Sequence, residues 1–248
     1  MDGMILDLTI FLIATFVAAV VTGLAGFAFG LVAAAIWLHV LTPVQSASLI
    51  IGFGLVVQGY SVWKIRHAVS WQRLWPLVLG AVPGVPVGAT ILGWASPEHV
   101  RAGIGILLVL YSLHGLVRPQ LKPVRASGVA DAVVGFVNGV LGGMTGLAGI
   151  VVTIWCGLRG WAKDVQRTVF QPVGVIVFAT SGLWFGATGV IAVDTVKLFA
   201  IGLPVLLAGT WLGLKLYGRL DEAGFRRIVL LLLLVSGLSL VIGFAARA

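Results

Sequence analysis

Two apolar stretches of this chain, each long enough to cross a membrane, are broken by glycine, and they copy one another. Val133–Trp155 reads VVGFVNGVLGGMTGLAGIVVTIW, with six Gly in 23 residues. Each Gly in a helix interior costs roughly 1 kcal/mol against Ala, so a break is expected around Asn138, Gly142, Gly143, Thr145 and Gly146. Val17–Trp37, VAAVVTGLAGFAFGLVAAAIW, has the same design, interrupted at Thr22, Gly23, Gly26 and Gly30. Both carry Gly-Leu-Ala-Gly at the interruption and Ile-Trp after it, Ile36-Trp37 and Ile154-Trp155. Such a repeat governs the whole chain, because every other element is then expected twice.

The remaining segments follow that order. After the first broken segment, helices are expected from about Pro43 to Trp63, Leu74 to Trp94 and Ser96 to Leu116. Pro83-Gly84-Val85-Pro86 should kink or unwind the second of these. After the second broken segment, from about Ala126 to Leu158, helices are expected at about 162–180, 195–216 and 221–244. Val44-Gln45 echoes Val165-Gln166 and Pro83…Gly88 echoes Pro204…Gly209, both 121 residues apart, while the glycine-rich stretches sit about 119 apart. The reading is of two membrane repeats, 1–117 and 126–248, joined by a linker over 118–125.

Composition fixes the class. Hydrophobic residues make up 60% of 248 and charged residues 10%, with mean hydropathy +1.12; a soluble domain carries about 25% charge. This is an all-α polytopic membrane protein: barrel strands would be roughly ten residues long and alternate. A single Cys, Cys156, argues against a thiol-ligated metal. No Lys or Arg precedes the first apolar run, so a cleaved leader is not expected. The net charge of +8 fits loops facing an anionic leaflet rather than nucleic acid.

Basic residues then decide between topologies. If each broken segment were one ordinary crossing, the basic loops 64–73 and 118–125 would lie opposite the equally basic loops 159–167 and 215–227, against the positive-inside rule. If each is a hairpin that enters and returns on one side, the halves become inverted repeats, each a Gly-broken hairpin plus three transmembrane helices. All four loops then share one side, with 13 of the 16 Lys and Arg. That side should be the cytoplasm, with both termini outside. Hairpin arms of about 15–18 residues are short for a crossing, which fits tips near the midplane, where uncovered backbone must face protein or a wet cavity.

Candidate binding residues cluster at these tips: Thr22, Gly23 and Gly26 in the first, and Asn138, Gly142, Gly143, Thr145 and Gly146 in the second. Gly lets backbone amides approach a ligand, and a helix start favours an anion; close helix packing through small residues is the competing reading. Gln45 and Ser46 open the helix after the first tip, and Gln166, Arg167 and Gln171 the one after the second. Their amides suit an oxyanion, and Arg167 would clamp one or snorkel to the interface. Both tips are expected to approach the same anion. Asp131, Asp194, His39 and His114 are candidate proton carriers, though near helix ends. The Trp residues, Trp63, Trp71, Trp75 and Trp94 among them, are expected mainly as interfacial anchors. No nucleophile triad, phosphate loop, haem ligand pair or metalloenzyme motif is present, so an enzyme is not expected, and no cofactor or metal.

The paired segments resemble the sulfite exporter family TauE/SafE over essentially the whole chain. The matching positions are Gly23, Gly26 and Gly30, followed by Thr42-Pro43-Val44-Gln45-Ser46-Ala47, and Gly139, Gly142, Gly143, Gly146 and Gly149, followed by Lys163-Asp164-Val165-Gln166-Arg167-Thr168. Phe27-Ala28-Phe29 replaces part of the glycine cluster in the first half, and neither tip is followed by the Pro often found there. The resemblance implies an ATP-independent inner-membrane transporter, an exporter of sulfite, an organosulfonate or another small organic acid. Alternating access between the halves, with proton or sodium coupling and homo-oligomer formation left open, is the mechanism expected. An anion-selective channel is the nearest alternative, and a membrane-embedded enzyme or structural subunit the more distant one.

Overall fold

The computed structural model describes residues 2–25, 28–117, 123–216 and 222–246. Gly26, the linker residues 118–122 and the loop residues 217–221 lie outside them. Ten α-helices are present among the described residues: α1 (Asp2–Ala25), α2 (Phe29–Trp37), α3 (Pro43–Ile65), α4 (Trp71–Trp94), α5 (Pro97–Val117), α6 (Gly128–Thr145), α7 (Ile150–Leu158), α8 (Lys163–Ala187), α9 (Val193–Leu216) and α10 (Glu222–Ala245). Seven are long and apolar enough to cross a membrane, and a shorter apolar stretch covers Val229–Ala245. The interruptions divide the glycine-rich segments into arms of 24 and 9 residues (α1, α2) and of 18 and 9 residues (α6, α7). The even arms expected from the sequence are therefore replaced by a long helix and a half-length one.

The helices gather into two compact units. Unit 1 comprises Met1–Ile50, Ala95–Pro119 and Ala192–Ala248, and unit 2 comprises Ile51–Trp94 and Gln120–Ile191. This division by compactness differs from the division by sequence repeat, since each unit draws helices from both halves.

In unit 1, α2 folds back along α1: the Trp37 indole N–H donates to the Phe11 carbonyl at 3.4 Å, and the two rings lie 5.1 Å apart. Both side chains are fully buried. α1 also packs along α9 at backbone distance. A Cβ on Gly209 would lie 2.8 Å from the Phe16 carbonyl oxygen, and one on Gly23 would lie 2.6 Å from that of Thr210. Contacts advance in the same direction on both helices, so they run parallel. α5 and α10 cross antiparallel, with a reciprocal contact. A Cβ on Gly105 would meet Gly237 O at 2.9 Å and the Leu240 and Val241 side chains; one on Gly237 would meet Gly105 O at 2.7 Å and the side chains of Leu108 and Val109.

Unit 2 is built on α4 and α6. Gly80, Gly84 and Gly88 recur every four residues on α4, and Gly135, Gly139 and Gly143 do so on α6. A Cβ on any of the six would run into a carbonyl oxygen of the other helix. This is the small-residue seam through which membrane helices approach closely. It holds α4 helical through Pro76, Pro83 and Pro86, so of the expected kink or unwinding at Pro83–Pro86 the unwinding does not occur; neighbouring helices let a transmembrane helix tolerate Pro. α7 folds back along α6, fastened where Trp155 Nε1 and Arg159 Nη1 donate to Asp131 Oδ1 at 2.7 and 2.9 Å. Within this unit α3 and α8 run antiparallel, Gly54 facing Phe178 and Gly174 facing Gln58.

Candidate functional site

The break in unit 2 follows from three residues. Thr145 ends α6, and its hydroxyl donates to the Leu141 carbonyl while accepting the Leu147 amide at 3.1 Å. Gly146 then turns left-handed at φ 74, and Gly149 adopts φ 153, conformations that an L side chain resists. Gly142 and Gly143, expected at the tip, instead lie within α6, where Gly143 packs on the Val85 carbonyl and Gly142 on Val177. Close packing compensates for their weak helix propensity, so the chain turns only at Gly146–Gly149.

α7 starts from that break without a side-chain cap. The first amides of a helix have no partner inside it, and the macrodipole puts about half a positive charge there. Nothing lies within 4 Å of a Cβ built on Gly149, so the helix start opens onto free space. Side chains of other helices stand near the break: a Cβ on Gly174 would lie 2.5 Å from Gln58 Oε1 and 3.0 Å from the Ala148 carbonyl oxygen, and one on Gly142 would meet both Val177 and Ala148. Gln58 Oε1 is buried without a hydrogen-bond partner among the described residues. Asn138, one turn before Gly142 on α6, is fully buried, and neither its amide nitrogen nor its oxygen has a partner among the described residues. Gln171 on α8 is also buried.

Unit 1 repeats the pattern with differences. The Thr22 hydroxyl donates to the Ala18 carbonyl as Thr145 does to Leu141, which aligns Thr22-Gly23-Leu24-Ala25-Gly26 with Thr145-Gly146-Leu147-Ala148-Gly149. The start of α2 is again uncapped, with Ala28 at φ 82, the one non-glycine residue of positive φ among those described. Gly23 lies inside α1, against α9. Gln45 serves its own helix: its Oε1 accepts from the Thr42 amide and hydroxyl at 3.2 Å, and Thr42 Oγ1 accepts the Gln45 amide, a capping box. Ser46 and Ser48 hydroxyls are buried without partners among the described residues.

Of the remaining expected residues, Gln166 donates through Nε2 to the Trp161 carbonyl at 2.7 Å, and Arg167 is exposed on the second turn of α8. Thr145, Gly146 and the start of α7 thus adjoin one another, Asn138 lies buried two turns earlier on α6, and Gln45 and Gln166 are engaged locally. Asp131 is committed to Arg159 and Trp155. Gln58 is the residue that sequence reasoning passed over. Its signal was available: it is the one amide in the interior of α3, Gln45 lying in the first turn, and polar groups inside membrane spans are functional by default. No group of three or more His, Cys, Asp or Glu among the described residues could hold a metal. Amides, hydroxyls and a helix start can hold a small anion.

Comparison with known proteins decides the family, for the profile of the sulfite exporter TauE/SafE matches residues 11–240. The chain belongs to the TauE/SafE family. It is also 26% identical over 184 residues to the probable sulfite/organosulfonate exporter TauE of Cupriavidus necator, covering 72% of this chain and 71% of that one. No solved structure matches. TauE/SafE proteins are membrane transporters, so membership makes this chain a transport protein rather than an enzyme.

Proposed function

We propose that the chain is a secondary transporter that exports a small oxyanion, sulfite, an organosulfonate or a related organic acid, across the inner membrane by alternating access. The observation that carries this reading is the uncapped start of α7, opening at Gly149 near Gln58, whose Oε1 has no partner among the described residues, with the buried Asn138 amide on the adjoining arm. Backbone amides and carboxamides bind an anion without fixing a full positive charge in the membrane, which leaves release feasible. Half-helices that start near the bilayer centre are a recurrent way for transporters to hold anionic groups.

The inverted-repeat topology belongs to the same proposal. α5 and α10 hold the last place in their halves and cross antiparallel, as do the counterparts α3 and α8; α1 runs parallel to α9 and α4 to α6. These directions support halves of opposite orientation, with the basic loops in the cytoplasm and membrane lipids around the helices. Thr22, Ala28 and the start of α2 would be the first-half counterpart of the site, and Arg167 would attract anions at the start of α8. A gradient of the anion, protons or sodium would supply the energy.

Transport into proteoliposomes from a panel of sulfite, thiosulfate, methanesulfonate and small carboxylates, with imposed pH and sodium gradients, tests the reading. Saturable counterflow of sulfite or a sulfonate is expected, together with reduced affinity in Gln58→Leu. Uptake of none of the panel, or uptake indifferent to Gln58, would overturn it.

A further inference from the structure

Away from the breaks, unit 1 forms a half-open pocket of about 120 Å³ between the turn after α2, the first turns of α5 and the last turns of α10. His39, Glu98, Arg101 and Ser239 supply its polar wall, and Leu240 and Phe244 part of its apolar wall. A single water needs roughly 10–15 Å³ on this measure, so the space holds several waters or one small solute.

Arg101 is only partly committed. Its Nη2 donates to the Leu41 carbonyl at 3.1 Å, whereas its Nε is buried without an acceptor. Glu98 shares the cavity, yet Arg101 makes no ion pair among the described residues. A half-buried guanidinium with an unmet N–H is unfavourable until an acceptor arrives, and an anionic acceptor gives the stronger hydrogen bond. Beside it, His39 Nε2 lies 3.5 Å from Ser236 Oγ. Burial and the positive charge of Arg101 outweigh a hydrogen bond with the Ala35 backbone and hold the His39 imidazole below its ordinary value. From α5, Glu98 and Arg101 face His39; from α10, Ser239 does, while His99 is turned against the Phe244 ring.

We propose that this cavity is a second anion site, which takes one small singly charged oxyanion, a sulfonate, carboxylate or phosphodiester, between the Arg101 guanidinium and the His39 imidazole. Arg101 supplies fixed charge and the unmet Nε–H. His39 supplies a second donor when protonated. Glu98 opposes the anion from the same wall, which keeps occupancy reversible. A bound anion screens His39 from Arg101, so binding raises the imidazole pKa. By linkage, affinity then increases as pH falls through the range between the free and bound values. The ligand is either a soluble anion or the phosphodiester of a lipid headgroup, since the same groups recognise both.

The experiment follows the His39 ring by NMR in full-length protein with labelled histidine, held in a maltoside detergent that contains no phosphate. The chain has four His, and His39→Gln assigns the resonance. One arm adds methanesulfonate, and the other a short-chain phosphatidylglycerol. A saturable upward shift of the His39 pKa with methanesulfonate identifies a soluble anion as the ligand. A shift with phosphatidylglycerol alone identifies the lipid. Arg101→Gln, which keeps a donor for Leu41, should weaken either response roughly tenfold or more, and Glu98→Gln should strengthen it. If Arg101→Gln does not fold, Glu98→Gln decides. A His39 ring indifferent to both additives, a response undiminished in Arg101→Gln, or one weakened in Glu98→Gln would overturn the proposal. His39 reports its own cavity, so this outcome is independent of transport through the breaks.

Discussion

Replacing Asn138 with Leu should make the protein more stable and less active at once. Asn138 is fully buried, with amide nitrogen and oxygen both unpartnered among the described residues. An unmet buried polar group costs about 1–3 kcal/mol, and an apolar group of similar shape removes that cost. Two unmet atoms on one side chain give about 4 kcal/mol at the middle of that range; halving this for partial solvation in the unfolded reference leaves about 2 kcal/mol. At about 2–4 °C per kcal/mol for a chain of this length, the Tm of the detergent-purified protein should rise by roughly 4–8 °C. Sulfite or sulfonate uptake should fall at least tenfold in the same preparation, because the deleted amide is one the proposed site requires. A thermal melt followed by size exclusion and a proteoliposome uptake assay, run in parallel, give the two readings. A lower Tm would refute the reasoning, because it would make the Asn138 amide a structural bond; so would normal uptake by a stabilised variant.

Three further outcomes are expected. Gly80→Ala, which drives a methyl into the Ala132 carbonyl, should abolish monodisperse protein, whereas Gly59→Ala, with nothing within 4 Å, should be silent; fluorescence-detected size exclusion separates them. Ala28→Gly relieves a left-handed alanine worth about 1–2 kcal/mol, partly offset by the greater freedom of Gly in the unfolded chain, so a melt should show a gain of about 1 kcal/mol or less. With Cys156 replaced, cysteines at Arg66 and Arg159 should react with an impermeant reagent only from the cytoplasmic face, and a cysteine at Asp7 only from outside.

Much of the fold is legible in the sequence because membrane helices announce themselves by length and hydropathy. Ser96-Pro97-Glu98 marks the start of α5, and the repeated Gly-Leu-Ala-Gly marks the breaks to within a few residues. The position of the turn within each glycine cluster is not legible. Gly142 and Gly143 have the same local propensity as Gly146 and Gly149, and only the approach of α4 and α8 keeps the first pair helical. Pro83 and Pro86 read as an interruption for the same reason: the seam that restrains them is tertiary. The site is legible as a region but not as a residue set. Gln45 and Gln166 carry the right chemistry and spend it on Thr42 and Trp161, while Gln58, deep in α3, comes near Ala148 only through folding. Trp37 shows the same limit, as an indole expected at the interface that instead fastens α2 to Phe11.

The crossing of α5 and α10 has a meaning beyond packing. Gly105 meets Gly237 as Gly237 meets Gly105, with Leu108 and Val109 answering Leu240 and Val241. That is an isologous contact, the kind two identical subunits make about a two-fold axis, here formed inside one chain. A surface that complements itself could be satisfied by two copies of a single helix. The crossing also ties the two helices together under mutation. A larger side chain at Gly105 fills the space that Gly237 needs, and so a change in either helix can be rescued only from its counterpart.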